Sequence, residues 1–334
     1  MAFWVGVDGG GTGTRVRLQD AAGRTLGQGA AGPSSLSLGV PQAWRHVTAA
    51  VAAAFADAGL AVAPPQGIAL GLGLAGAEVR ALRAAFIAAD PGHAALVIEN
   101  DGITQLAGVH AGRPGVVVSA GTGAVAAARL PNGQIQRSGG WGWPVGDEGA
   151  GAWLGVRAVR ALQHALDGRA APGPLSAAVA RALAGTGGTG STGSDAGELG
   201  DIGDRSNVGH RSNAEAVRAW CAHAGQNACA QFAPLVFVAA DAGDAHAEGL
   251  LQTAAAELAR LATAFGAAAA GLPIVLNGSV GERLRTRWPA ALQARCVEPA
   301  GDSADGALRL LRQALSTPGF APDTPPGTLP GIAR

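Results

Sequence analysis

Two apolar strands in this chain each run into a glycine-rich tip and come straight back out, and no other feature restricts its fold as much. The first covers Phe3 to Val7, breaks at Asp8-Gly9-Gly10-Gly11-Thr12-Gly13, resumes at Thr14 to Gln19 and turns at Gly23 into a third strand. The second covers Gly115 to Ser119, breaks at Ala120-Gly121-Thr122-Gly123 and resumes at Ala124 to Leu130. An offset of 110 positions lays Gly11-Thr12-Gly13 over Gly121-Thr122-Gly123 and Gly23 over Gly133. In a chain with 53 glycines such a match alone proves little. The shared order of strand, tip, strand and turn is what points to a duplicated domain built on a β-meander.

Between the meanders, Trp44, Val47, Val51 and Phe55 share one face of a predicted helix from Pro41 to Ala58. A buried strand Ile68 to Leu72, a helix carrying Val79, Leu82 and Phe86, and a strand Ala95 to Glu99 follow. Strands alternating with helices require an α/β fold with a parallel layer. Later helices are expected from Trp153 to Leu166, Ala214 to Phe232, Glu248 to Ala270 and Ser303 to Leu315, with a strand at Ile274 to Leu276. At 334 residues the chain exceeds the size at which one core keeps growing. Two domains are therefore expected, 1–110 and 111–302, with helix 303–316 free to return to the first. A polar insertion near 186–212 and a loose tail over 317–334, with five prolines, complete the organisation.

Composition removes whole classes of function. Hydrophobic residues at 48% against charged residues at 14% exclude disorder throughout. Zero formal net charge leaves no basic field for nucleic acid or an anionic membrane. All 24 basic residues are arginine, so a Walker lysine, a protein-kinase strand lysine and a Schiff-base lysine are all ruled out. Cys221, Cys229 and Cys296 lack metal or disulfide spacing. The apolar stretch from Ala254 to Leu276 is interrupted by Glu257, Arg260 and Pro273, and residues 1–7 carry no basic leader, so a cytoplasmic protein is expected.

Four motifs could carry chemistry. Glycines at Asp8–Thr14 let backbone N–H groups approach a phosphate, with threonine hydroxyls as extra donors, although a plain turn uses the same residues. Asp8 would repel that phosphate unless Mg²⁺, reached through a water, lay between them. Neither GxGxxG nor a following helix is present, which counts against a Rossmann site. Ser119-Ala120-Gly121-Thr122-Gly123, the second tip, could grip the other side of the same phosphates. Asp101, after Glu99 and Asn100 at a strand end, stands where α/β sheets collect ligands, or else caps a helix. The loop Gly139-Gly140-Trp141-Gly142-Trp143-Pro144-Val145-Gly146-Asp147-Glu148 combines ring faces with acceptors, as sugar sites do, or is a packed loop with helix-capping acids.

The order DGGGT, NDG, SAGTG, GGWGWPVGDEGAGAWLG and NGSVG resembles the N-acetylglucosamine and glucosamine kinases. These are grouped with the activator ATPases of 2-hydroxyacyl-CoA dehydratases and benzoyl-CoA reductase in the BadF/BadG/BcrA/BcrD-type ATPases. The resemblance spans residues 3–315 and rests chiefly on the tryptophan loop ending in GDEG. It implies an actin–hexokinase fold, two ribonuclease-H-like domains with a central cleft that closes on ATP and Mg²⁺. Gly10, Gly11, Thr12, Gly13 and Thr14 would then hold phosphates together with Ser119, Gly121, Thr122 and Gly123, while Gly278, Ser279 and Gly281 lie against the adenosine. Asp101 is the implied base and Asp8 the metal residue, and Ser35, Asn100, Trp141, Gly142, Asp147 and Glu148 would meet the sugar. Family kinases show GPxN where this chain has Gly32-Pro33-Ser34-Ser35, which leaves open whether Ser35 replaces a sugar-binding asparagine. The expected activity is γ-phosphoryl transfer from ATP to the 6-hydroxyl of an amino sugar, glucosamine or N-acetylglucosamine. Such a kinase needs no partner beyond its small-molecule substrate, and a homodimer is compatible with it. The rival is an electron-transfer activator, whose iron–sulfur cluster needs cysteines near the domain junction; the three present lie elsewhere in the sequence.

Overall fold

The computed structural model describes residues 2–186 and 207–317. The first meander forms β1 (Phe3–Gly9), β2 (Thr14–Asp20) and β3 (Thr25–Ala31), followed by α1 (Val40–Asp57), β4 (Ile68–Leu74), α2 (Arg80–Ala88), β5 (Ala95–Glu99) and α3 (Asp101–Val109). The sheet order is β3-β2-β1-β4-β5, antiparallel within the meander and parallel from β1 through β4 to β5. The chain then repeats itself with β6 (Gly115–Ala120), β7 (Ala124–Arg129) and β8 (Ile135–Gly139). Helices α4 (Gly151–Leu166), α5 (Pro174–Thr186), α6 (Asn207–His223), α7 (Gln226–Ala230), α8 (Ala233–Asp241) and α9 (Ala245–Thr263) precede β9 (Ile274–Asn277). The second sheet runs β8-β7-β6-β9, with β9 parallel to β6 as β4 is to β1. Where the first sheet has β5, the second keeps a single bridge between Ile274 and Cys296. The last helices are α10 (Ser279–Leu284), α11 (Ala290–Gln293) and α12 (Ser303–Ser316).

Each sheet has its own core. Pro41 opens α1, and Ala43, Val47, Ala50, Val51, Ala54 and Phe55, spaced by three and four, bury its inner face against the first sheet. Each large side chain removed from water there contributes roughly 1.5–3 kcal/mol. The second core gathers β6, β7, α4, α8 and α9. Helix α12 crosses back over β1 and β4 and packs against α3. Glycines make that approach feasible, since a Cβ at Gly6 would lie 2.2 Å from the Ala304 carbonyl oxygen and one at Gly71 2.4 Å from that of Ala307.

The structure departs from the expectations in several places. The two tips differ by one residue: Gly9 opposes Thr14 across the first, whereas Ala120 opposes Ala124 across the second. The duplication offset is therefore 110 on the outgoing strands and 111 on the incoming ones. At the edges of the expected insertion Gly185 and Thr186 belong to α5 and 207–213 to α6; positions 187–206, like the tail beyond Thr317, lie outside the described residues. Helix α8 was not expected as a separate element. Its sequence APLVFVAAD is apolar nearly all round, so it lacks the polar face that marks a helix in sequence.

Candidate active site

A cleft of about 1350 Å³ opens between the two sheets and is lined by residues of both. From the first come Asp8, Glu78, Asn100 and Asp101; from the second come Ser119, Gly123, Arg137, Asp147 and Asn277. Asp8, Asp101, Ser119 and Asn277 stand at or just beyond the carboxyl ends of β1, β5, β6 and β9, the position α/β sheets offer to ligands, and Gly123 is the tip residue in the lining.

Asp101 is the first residue of α3, directly after β5. The cap itself is Asn100, whose Oδ1 accepts the Gly102 N–H at 2.9 Å and whose Nδ2 donates to Glu78 Oε2 at 2.7 Å. Burial pushes the Asp101 carboxyl above the ordinary carboxylate range; the Gly102 N–H opposes this, Asp8 and Glu78 add to it, and Arg137 counters. Asp8 is likewise raised, chiefly by burial, against the pull of Arg15 at 3.3 Å and a hydrogen bond from Ser303. The Ser303 hydroxyl also lies 2.8 Å from Thr104 Oγ1, so β1, α12 and α3 meet behind the two carboxylates. Among the described residues no three His, Cys, Asp or Glu side chains converge on a metal.

The tips present bare backbone. A Cβ built at Gly10, Gly11 or Gly121 would meet nothing within 4 Å. Among the described residues the N–H groups of Gly11, Thr12 and Gly13, and of Thr122 and Gly123, have no acceptor. These are donors that an anion such as a phosphate could satisfy.

Several expected residues do something else. Thr14 is buried, its hydroxyl 2.6 Å from the Gly32 carbonyl and 2.7 Å from Ser34 Oγ, so it braces the tip from behind. Ser35 is buried as well, its Oγ 2.8 Å from Ser37 Oγ and 3.3 Å from the Ala75 carbonyl, and it does not line the cleft. Asp147 carries φ 65°, which turns its carboxylate back to accept the Ala124 N–H at 3.0 Å and the Gln226 amide at 2.8 Å. It anchors the second tip. Trp141, 86% exposed, and Gly142 and Glu148 lie outside the cleft lining. Gly278 packs beneath the second tip, where a Cβ would stand 2.5 Å from the Ala120 carbonyl oxygen. Of that segment the cleft meets Asn277, and not Ser279 or Gly281.

Sequence reasoning missed Glu78, Gln105, Arg15 and Arg137. Gln105 follows Asp101 by one helical turn and accepts the Ser119 hydroxyl at 2.6 Å, tying α3 to the second tip. Its i+4 spacing from Asp101 was the available signal. In a chain without lysine, Arg15 and Arg137 are the cations lining this cleft. The cysteines do not gather: Cys221 is exposed, Cys229 is buried against Gly155 of α4, and Cys296 lies at the edge of the second sheet. No described helix is long and apolar enough to cross a membrane.

Comparison with known proteins supplies relatives. The sequence model of the BadF/BadG/BcrA/BcrD ATPase family matches residues 5–295. A glucosamine kinase of Vibrio cholerae is 29% identical over 308 residues, 92% of this chain and 95% of that protein. A candidate N-acetylglucosamine kinase structure from Chromobacterium violaceum is 40% identical with a TM-score of 0.79, covering 93% of this chain and 99% of its own. A ROK family glucokinase from Streptomyces griseus, at 18% identity and a TM-score of 0.50 over 93% of this chain and 99% of its own, shares the fold. The architecture is thus the α/β pair of ribonuclease-H-like units of the actin–hexokinase type.

Proposed function

Because this chain belongs to the BadF/BadG/BcrA/BcrD ATPase family, we propose that it is a kinase that transfers the γ-phosphoryl of ATP to the 6-hydroxyl of an amino sugar, glucosamine or N-acetylglucosamine. The kinase relatives support phosphoryl transfer to an amino sugar. One observation carries the rest: Asp101 shares a cleft with Asp8, Ser119 and Gly123, and the tips that follow Asp8 and Ser119 carry N–H groups that lack acceptors among the described residues.

In this reading two units, 1–110 with helix 303–316 and 111–302, close on the cleft. Gly11 to Gly13, with Thr122 and Gly123, donate N–H groups to phosphate oxygens, while the Gly10 and Gly121 N–H groups close the tips onto Gly13 and Gly123; Arg15 and Arg137 replace the missing lysine. Asp8 is the residue that would hold Mg²⁺, through a water, and the ion would supply charge neutralisation at the phosphates. Asn100 and Glu78, already hydrogen-bonded to each other, orient the sugar hydroxyls around Asp101. Asp101 accepts the proton of the attacking hydroxyl, for which its raised pKa makes it a better base than an ordinary carboxylate. Trp141 and Glu148, adjoining the lining residues Gly140 and Asp147, reach the sugar only when the halves close. Nothing in the placement of the cysteines favours the activator reading.

The test is coupled ADP release with glucosamine, N-acetylglucosamine, N-acetylmannosamine, N-acetylmuramic acid and glucose, with the phosphorylated hydroxyl read by NMR. Asp101→Asn should keep nucleotide binding and lower kcat by roughly 10²- to 10⁴-fold. ADP release independent of any sugar, or wild-type turnover by the Asn variant, would sink the proposal.

A further inference from the structure

A second groove, of about 730 Å³, lies on the hinge of the molecule. Two strands of chain cross between the sheets, one from α3 to β6 and one into α12, and they are hydrogen-bonded to each other where Ala300 N–H meets the Val109 carbonyl at 2.9 Å. The front cleft meets this hinge at Val109 and Gly301, and the second groove meets it at Gly108, Ala111, Gly112 and again Gly301. The two hollows thus share a wall.

Charge in the second groove is one-sided. Arg129 enters from β7 of the second sheet, and Arg309 and Arg312 enter from α12, which packs on the first. The one acidic side chain in the lining, Asp305, is already committed to Arg17 and to the Asp302 N–H. Arg312 is held in place by donating to Gln19 Oε1 at 3.1 Å and by stacking 4.5 Å from the Trp4 ring centre. Arg309 lies against the hinge, where a Cβ at Gly112 would press to 2.9 Å of its Cδ and where Gly112 has φ +74°. Among the described residues Arg129 and Arg309 have no carboxylate partner. Among the described residues Asp305, engaged by Arg17, is thus the one acid set against three guanidinium groups around this hollow. Gln19, Gln313 and Ser316 add neutral polar groups to the same lining.

We propose that this groove is a second, non-catalytic site for a small phosphorylated molecule, whose phosphate bridges Arg129 of one half and Arg309 and Arg312 of the other. Guanidinium forks match phosphate oxygens two at a time, and three of them suit a dianion better than a single carboxylate. The hollow is larger than inorganic phosphate and within the range of organic ligands. Because the anion would hold residues from both halves across the hinge, its binding favours one degree of opening of the front cleft over others. The inference stands apart from the assigned reaction, since it uses no residue of the front cleft.

Calorimetry on the full chain tests it, with inorganic phosphate in one arm and glucosamine 6-phosphate in the other. In Arg129→Gln/Arg309→Gln the Kd of both should rise tenfold or more, the ratio expected when hydrogen bonds to a charged group are lost. Arg15→Gln/Arg137→Gln, which strips the front cleft of its cations, should leave this binding in place. Equal affinity for the two ligands would mean that the phosphoryl group alone is read, and tighter binding of the sugar phosphate that the amide and hydroxyl lining is read as well. Arg309→Lys, an exposed and charge-preserving change, should retain part of the affinity and controls for folding. Binding that is unchanged in the Arg129/Arg309 variant, that follows Arg15 and Arg137 instead, or that is absent from the wild-type chain would overturn the proposal.

Discussion

Gly306→Ala is the substitution whose outcome follows most directly from the packing. Helices α3 and α12 cross glycine to glycine: a Cβ at Gly306 would stand 1.7 Å from the Thr104 carbonyl oxygen, and one at Gly108 1.8 Å from that of Asp302. Contacts under 3.0 Å are not sustained, so the Thr104 carbonyl must retreat from 1.7 to 3.0 Å, a shift of about 1.3 Å. Two effects oppose each other. Alanine in a helix interior is better than glycine by up to ~1 kcal/mol. Overpacking against backbone costs ~1–3 kcal/mol, and here the obstacle cannot rotate away, so the steric term wins by about 1–2 kcal/mol. At roughly 2–4 °C per kcal/mol, Tm should fall by several degrees. Thr104 is one turn beyond Asp101 on the same helix, so the shift carries the proposed base with it. Misplacement by about 1 Å costs on the order of 10²-fold in rate, and kcat should drop by ten- to a hundredfold with nucleotide affinity little changed. Scanning calorimetry and coupled ADP release measure the two effects. Gly249→Ala on α9 is the control, since its Cβ meets nothing within 4 Å and the change should raise Tm slightly without touching turnover. If Gly306→Ala melted and turned over like the wild type, the crossing of α3 and α12 would not be what positions Asp101.

Two further predictions concern the carboxylates. The acid limb of kcat/KM reports Asp101 in the free enzyme, and because burial and the charges of Asp8 and Glu78 raise its pKa, activity should be lost on acidification at a higher pH than for an ordinary carboxylate. Glu78→Gln removes a like charge and should move that limb to lower pH, whereas Arg137→Gln should move it higher; limbs that stay in place would show that another group titrates. Asp8→Ala should raise the Mg²⁺ concentration needed for half-maximal rate more than it raises sugar KM, and an unchanged metal titration would reduce Asp8 to a shaping role in the tip.

What could be read in the chain itself was local. Glycines that end a strand, an apolar run of five to seven residues and an aspartate just after a strand are properties of short segments, so the two meanders, the tips and Asp101 were legible without a neighbour. Even the slip of one residue between the tips needed the ladder, because glycine-rich text aligns equally well in either register. Which polar atoms face the cleft was settled by residues far away in sequence. Thr14 lost its place there to Gly32 and Ser34, while Gln105 gained one by meeting Ser119. Asp147 and Glu148 are equivalent as letters, yet a positive φ turns the first inward onto Ala124 and leaves the second exposed. Helix α12 is amphipathic on paper, but its seat on the first sheet depends on Gly6, Gly71 and Gly108 and on Arg17 reaching Asp302 across 285 residues. Backbone conformation is chosen by neighbours within a few residues, whereas hydrogen bonds and close packing are chosen by whatever the folded chain brings within about 3–4 Å, and a functional site is made of the second kind.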